Sequence, residues 1–221
     1  MAMGKRLGVV LLIVLALSLI GVPATAAPTV VAQWHMDETS GTIAVDATGN
    51  GHNGVNTNIA FVAPGFDGTG GAYSFNGASR VVVPDSPSLN PGSQDITLTA
   101  SVKTSTLPGS VGDYDLIRKS KAKQIYKMEI LSNGTAFCKF KGTSGGGGAK
   151  GGPNVVDGLW HTIVCTKTAN LISLTVDGVT VATKARTVGS ISPPIDLYLG
   201  RKPDGTDPYT GLMDEVSITI G

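Results

Sequence analysis

The chain has 221 residues, of which 30 are glycine, with 15% charged and 5% aromatic residues. Glutamate occurs only as Glu38, Glu129 and Glu215, which excludes coiled coils and helical bundles; the composition equally excludes collagen and intrinsic disorder. The formal net charge of +1 becomes −1 once Lys5 and Arg6 are set apart with the leader described next, so no overall field exists to attract nucleic acid or a membrane surface.

The chain opens with a short positive segment, Met1 to Arg6, then an almost unbroken apolar run from Leu7 to Ile20. Ala24-Thr25-Ala26 follows with small residues at the −3 and −1 positions of a cleavage site, completing the three-part pattern of a secretory signal. The run is shorter than the ~20 residues that span a bilayer, and Pro23 ends it. The expectation is a signal peptide over residues 1–26, a secreted domain over 27–221, and no membrane span after cleavage.

From there the hydrophobic period is two. Val30, Ala32, Trp34 and Met36 share one face of a strand, and Ile96, Leu98, Ala100 and Val102 alternate with Thr97, Thr99 and Ser101. Tyr126, Met128 and Ile130 alternate with Lys127 and Glu129, and Asn133-Gly134 then turns the chain into a strand from Thr135 to Lys141. Gly142 to Gly152, with seven glycines, reads as a mobile loop between neighbouring strands. Trp160 to Lys167, Leu171 to Val176 and Val179 to Thr183 form a meander turned at Asp177-Gly178, and Tyr198 to Gly200 and Leu212 to Ile220 close the chain. No amphipathic helical stretch of ten residues occurs. Many short antiparallel strands with turns between them predict an all-β sandwich or barrel.

Cys138 and Cys165 lie in separate strand-like segments, and an exported protein meets an oxidising environment. No second Cys or His stands at ligand spacing, so a disulfide is expected in place of a metal site. Three motifs are set aside. Gly49 to Gly54 matches the dinucleotide fingerprint but has neither a strand before it nor a helix after it. Gly142 to Gly146 matches a nucleophile elbow around Ser144, yet further glycines follow that cannot hold its hydroxyl in place. Asn133-Gly134-Thr135 is a formal glycosylation sequon that hairpin geometry explains alone.

The segment Trp34-His35-Met36-Asp37-Glu38 with Gly41, Asp46 and Gly49 to Gly54 resembles the opening of laminin-G-like domains, which belong to the concanavalin A-like lectin and glucanase superfamily. The resemblance continues through Tyr73 to Gly77, Val82 to Leu89, Trp160-His161 and Val176 to Gly178, and ends in Tyr209 to Val216. Many relatives carry Trp where this chain has Ser101. The resemblance implies two curved antiparallel sheets in a jelly-roll sandwich. It implies binding or adhesion more often than catalysis, frequently with a structural calcium ion.

Retaining glucanases of this superfamily supply acid and nucleophile from one strand as Glu-x-Asp-x-(x)-Glu, and no such run exists here. Glu129 has no carboxylate within four residues, and Asp113-Tyr114-Asp115 lacks a glutamate and lies in a turn-like segment. A non-catalytic module binding carbohydrate or a cell-surface polymer is the expectation. A divergent glycan-degrading enzyme and a structural surface protein are the alternatives.

Leu212, Asp214, Val216, Ile218 and Ile220 alternate onto one face, which places Asp214 inward. Two readings stand for it. With Asp37 and Asp46 it supplies oxygen ligands for Ca2+, or it accepts backbone N–H groups of the Asp46 to Asn53 loop. Residues 118–150 hold eight Lys and Arg against Glu129 alone. Lys127, Lys139 and Lys141 alternate outward there, as solvated edge residues or as a site for an anionic glycan. Tyr114, Tyr209 and Phe66 lie in loops where an exposed ring can stack on a sugar.

Overall fold

The computed structural model describes Met1 and residues 27–109 and 112–221; the expected leader therefore lies, Met1 apart, outside the described residues. Among them the strands are, in chain order, β1 (Thr29–Trp34), β2 (Ile43–Ala44), β3 (Gly54–Thr57), β4 (Ala60–Val62), β5 (Ala72–Asn76) and β6 (Arg80–Val83). A single 3-10 turn, Pro87–Leu89, leads to β7 (Ile96–Lys103), β8 (Tyr114–Lys121), β9 (Gln124–Ile130), β10 (Ala136–Gly142) and β11 (Gly145–Gly151). The rest are β12 (Trp160–Lys167), β13 (Leu171–Val176), β14 (Val179–Ala185), β15 (Leu197–Leu199) and β16 (Thr210–Ile220).

These strands form two antiparallel sheets. The first runs β14-β13-β12-β7-β16-β5-β4, with β1 also paired to β16; the second runs β11-β10-β9-β8-β15-β6-β3-β2. Alternation decides which side chains meet between them. Leu98, Ala100, Val102, Ile163 and Ile218 come from the first sheet, Met128, Ile130, Phe140 and Leu199 from the second, and all are fully shielded. Trp34 lies in the same core, its indole N–H donating to the His52 carbonyl at 2.9 Å. Cys138 of β10 is bonded to Cys165 of β12, so the disulfide joins one sheet to the other through the core.

Three segments depart from the sequence expectation. The glycine run is no loop: Gly145–Gly151 is an edge strand paired with β10 along its whole length, from Gly142↔Gly145 to Ala136↔Gly151. Thr143-Ser144 is the two-residue turn between them, and the Ser144 N–H donates to the Val188 carbonyl. Glycine suits this strand because neighbours occupy the space of its side chains. A Cβ on Gly147 would stand 2.9 Å from Arg186 Cγ, and one on Gly148 would stand 2.5 Å from both the Phe137 ring and the Cys138 carbonyl oxygen.

Asp113-Tyr114-Asp115 is also misread as a turn, since Tyr114 opens β8 and Asp115 pairs with Glu129 on β9. The β8–β9 turn carries positive φ at Ala122 and Lys123, without the Gly or Asn that marks such turns. The third departure is in β16. Its register shifts between Asp214 and Ser217, and Glu215 has φ 48°. This bulge reverses the alternation. Met213 therefore shares the core face with Val216, Ile218 and Ile220, and Asp214 lies opposite Ser101 on the outer face.

Candidate functional site

The expected cationic patch is smaller than its sequence. Lys119 is fully buried, its ammonium held by Asp85 Oδ1 at 2.7 Å, Asn90 Oδ1 at 2.7 Å and the Pro193 carbonyl at 2.6 Å. Arg118 Nη1 donates to both carboxylate oxygens of Asp115, at 2.9 and 3.1 Å. Lys127, expected to point freely outward, is almost wholly shielded and tied to Glu129. Its ammonium also lies 5.6 Å from the centroid of the Phe137 ring. Burial, then Glu129, pushes the Asp115 carboxyl up to about 7. The carboxylates that neutralise these cations arrive by strand pairing, which no local window of sequence displays.

Lys139, Lys141 and Lys150 line a groove. Phe137, Lys139 and Lys141 alternate outward along β10, and Gly148 and Gly146 pair with the two lysines from β11. With Lys150 these residues enclose an open trough floored by glycine backbone. Lys139 and Lys141, two residues apart on one face, leave the backbone about 7 Å apart along the strand. Phe137 and Lys150 escaped the sequence-based site because the glycine run had been assigned to a loop, leaving β10 without its partner.

Tyr114 and Tyr209 do not form ring platforms. Both are buried and packed edge to face with centroids 5.3 Å apart, and the Tyr209 hydroxyl donates to the Leu212 carbonyl at 2.8 Å. Of the three aromatics expected in loops only Phe66 is exposed, and it packs edge to face on Trp160 with centroids 5.8 Å apart.

The three aspartates expected to share a cation separate into two places. Asp46 organises its own loop, accepting from the Gln33, Thr48 and His52 amides and from the Thr48 hydroxyl. Burial raises its pKa, but these hydrogen bonds outweigh it and hold the carboxyl below the usual range. Asp37 and Asp214 both reach the loop of residues 64–71. Asp37 Oδ1 accepts from the Gly71 amide, and Asp214 Oδ2 from the Phe66 amide, each at 2.7 Å. The Gly65 side-chain position is ringed by oxygens: the Gly71 carbonyl, Asp214 Oδ2 at 2.7 Å and the Thr69 carbonyl at 2.9 Å. Burial pushes Asp214 up to about 6; hydrogen bonds from the Phe66 and Glu215 amides oppose this, and the nearby Glu215 and Asp37 charges add to it. Two carboxylates with loop carbonyls fit a hard, oxygen-seeking cation, and Asp46 has no part in that set.

Two antiparallel sheets with a groove on one outer face and short connecting loops define a concanavalin A-like β-sandwich. Residues 75–219 match the laminin G family of the concanavalin A-like lectin/glucanases superfamily, and the chain belongs to that family. Among solved structures, it is similar to the binding domain of Paraclostridial Mosquitocidal Protein 1, at 16% identity and TM-score 0.69 over 86% of this chain and 48% of that one. The chain thus spans about half of that domain's length. It is similar to domain 4 of AbnA, a GH43 extracellular arabinanase from Geobacillus stearothermophilus in complex with arabinotriose. That match has 18% identity and TM-score 0.65, over 88% of this chain and 93% of the domain. Mouse laminin alpha1 domains LG4-5 match at 19% identity and TM-score 0.55, over 66% of this chain and 40% of theirs. No curated protein sequence matches the chain.

Proposed function

We propose that this protein is a secreted, non-catalytic carbohydrate-binding module whose groove on β10 and β11 takes an anionic glycan. The groove carries the proposal: three lysines, none with an acidic partner in an ion pair among the described residues, flank a flat glycine floor beside one phenyl ring. The Phe137 ring over Gly148 and the Lys141 stem over Gly146 give a polymer chain an apolar bed, and the ammonium groups attract its carboxylate, sulfate or phosphate substituents. The likeness to an arabinanase domain solved with arabinotriose supports carbohydrate as the ligand class. We further propose a structural Ca2+ at Asp37 and Asp214, held with carbonyls of the 64–71 loop.

One observation favours a glycan-cleaving alternative: Asp115 and Glu129 pair across β8 and β9. Both are about 1% exposed and engaged by Arg118 and Lys127, so neither reaches a glycosidic bond. A glycan array holding neutral and anionic polysaccharides at equal density tests the binding function. Signal confined to acidic glycans supports it; no glycan signal, or reducing sugar released from any polymer on the array, overturns it.

A further inference from the structure

A second group of acids lies apart from the groove and from the 64–71 loop. Asp113 precedes β8, Glu129 is on β9, and Asp207 belongs to the connection between β15 and β16. Each offers one carboxylate oxygen, and the three oxygens lie within 4.8 Å of one another. The backbone fixes this meeting, because the Asp115 amide donates to the Asp207 carbonyl at 3.0 Å.

An independent feature points to a ligand. Glu129 Oε1 receives both Lys127 and Arg118, whereas Oε2 is buried with no hydrogen-bond partner among the described residues. A buried carboxylate oxygen left without a donor is destabilising, and native structures rarely keep one. With Asp115, four carboxylates face three cations: Arg118, Lys127 and Lys202. Lys202 is the most exposed of the three, its side chain 25% accessible where it meets Asp207. A divalent ion bound at Asp207 would take the place of that ammonium.

We propose that Asp113, Glu129 and Asp207 form a Ca2+ site, independent of the one assigned to Asp37 and Asp214. All the donors are oxygen, which suits hard cations and disfavours the softer transition metals that seek nitrogen or sulfur. Oxygens as far as 4.8 Å apart share one Ca2+ at its usual distances of about 2.3–2.6 Å, whereas Mg2+ at about 2.1 Å requires them drawn closer. Asp113 and Asp207 also line the open cleft beside Leu107 and Pro208, which gives the ion a path from solvent.

The test uses Tb3+ as a luminescent stand-in for Ca2+, excited through tyrosine; Tyr114 adjoins Asp113 in sequence. In a protein carrying Asp37→Asn and Asp214→Asn, the proposal expects Tb3+ emission that Ca2+ competes away. Adding Asp113→Asn and Asp207→Asn weakens that binding at least about tenfold. Lys202→Met, which removes the competing ammonium, tightens it. Should the Asp37 and Asp214 variant not fold, the wild-type chain replaces it, and Ca2+ bound per chain then falls by one on adding the Asp113 and Asp207 substitutions. Binding unchanged by those substitutions, or no Ca2+-competed emission in a folded background, overturns the site.

Discussion

Phe137 lies across Gly148, its ring filling the space a side chain on that glycine would take. Because a Cβ there would also stand 2.5 Å from the Cys138 carbonyl oxygen, ring rotation alone cannot admit it. Gly148→Ala should therefore separate β10 from β11 and destabilise the domain by about 1–3 kcal/mol. Urea unfolding measures it, and an unchanged midpoint would show that the edge strand yields freely.

Lys139 and Lys141 should govern ligand binding, and Lys127 should govern stability. Retention on a sulfated-polysaccharide resin falls as salt rises, since each neutralised charge releases a counterion. The double substitution Lys139→Glu and Lys141→Glu should abolish retention without shifting the melting temperature. Lys127→Ala should instead leave Glu129 with Arg118 as its sole ion-pair partner and cost about 1–3 kcal/mol, as removing one hydrogen-bond partner of a buried group does. Retention that survives the double reversal counts against the groove.

The bond between Cys138 and Cys165 closes a separation of 27 residues and stabilises by about 3.5 kcal/mol on the loop-entropy model. Mass analysis after alkylation of the unreduced, unfolded protein should find no modified cysteine. Reduction should lower the unfolding free energy by that order, measured by denaturant titration.

Calcium held by Asp37 and Asp214 should raise stability by about 2.7 kcal/mol at a hundredfold excess over Kd. For a domain of this size that is a rise of roughly 5–10 °C in melting temperature. Chelation should reverse the rise, and Asp214→Asn should lower the melting temperature while reducing its response to calcium. A melting curve indifferent to chelator and to added calcium refutes the site.

His161 supplies a pH dependence of known sign. Burial lowers its pKa, but hydrogen bonds to Asp177 at 2.7 Å and Asp157 at 3.1 Å outweigh that and leave it above the ordinary 6.5. A raised folded pKa means stability fully present below pH 6.5 and lost as pH rises through the folded value. The wild-type advantage over His161→Gln should accordingly shrink between pH 6 and 8. Melting temperatures across that range check it, and an advantage that grows with pH contradicts the assignment.

Strand alternation in β7 and β13 is legible in the sequence because one face of each is apolar and the other rich in Ser and Thr. Gly145–Gly151 is illegible for the opposite reason: its conformation is set by Phe137, Arg186 and Cys138, residues distant in sequence or on a partner strand. Asp214 shows a subtler failure. It falls in a run from Leu212 to Ile220 whose alternation points it inward, but one extra residue in the ladder, Glu215, moves it to the outer face. The acids around Glu129 were invisible because Asp113, Asp115 and Asp207 reach it only through pairing and loop return. The anionic ends of the candidate sites are thus products of topology, whereas Lys139 and Lys141 could be found by alternation alone.

Thr29 and Ile220 sit side by side where β1 pairs antiparallel with β16. A pulling force applied across those two residues would meet the hydrogen bonds of that ladder one rung at a time, in a zipper geometry that offers little mechanical resistance. The covalent bond between β10 and β12 limits how far such a rupture can extend the chain. The residues between Cys138 and Cys165, about 90 Å of contour length, stay locked until the bond is reduced. They include β11 and most of the groove floor, so a tensioned domain would surrender its first and last strands while the span holding Lys139 and Lys141 remained tethered as a closed loop.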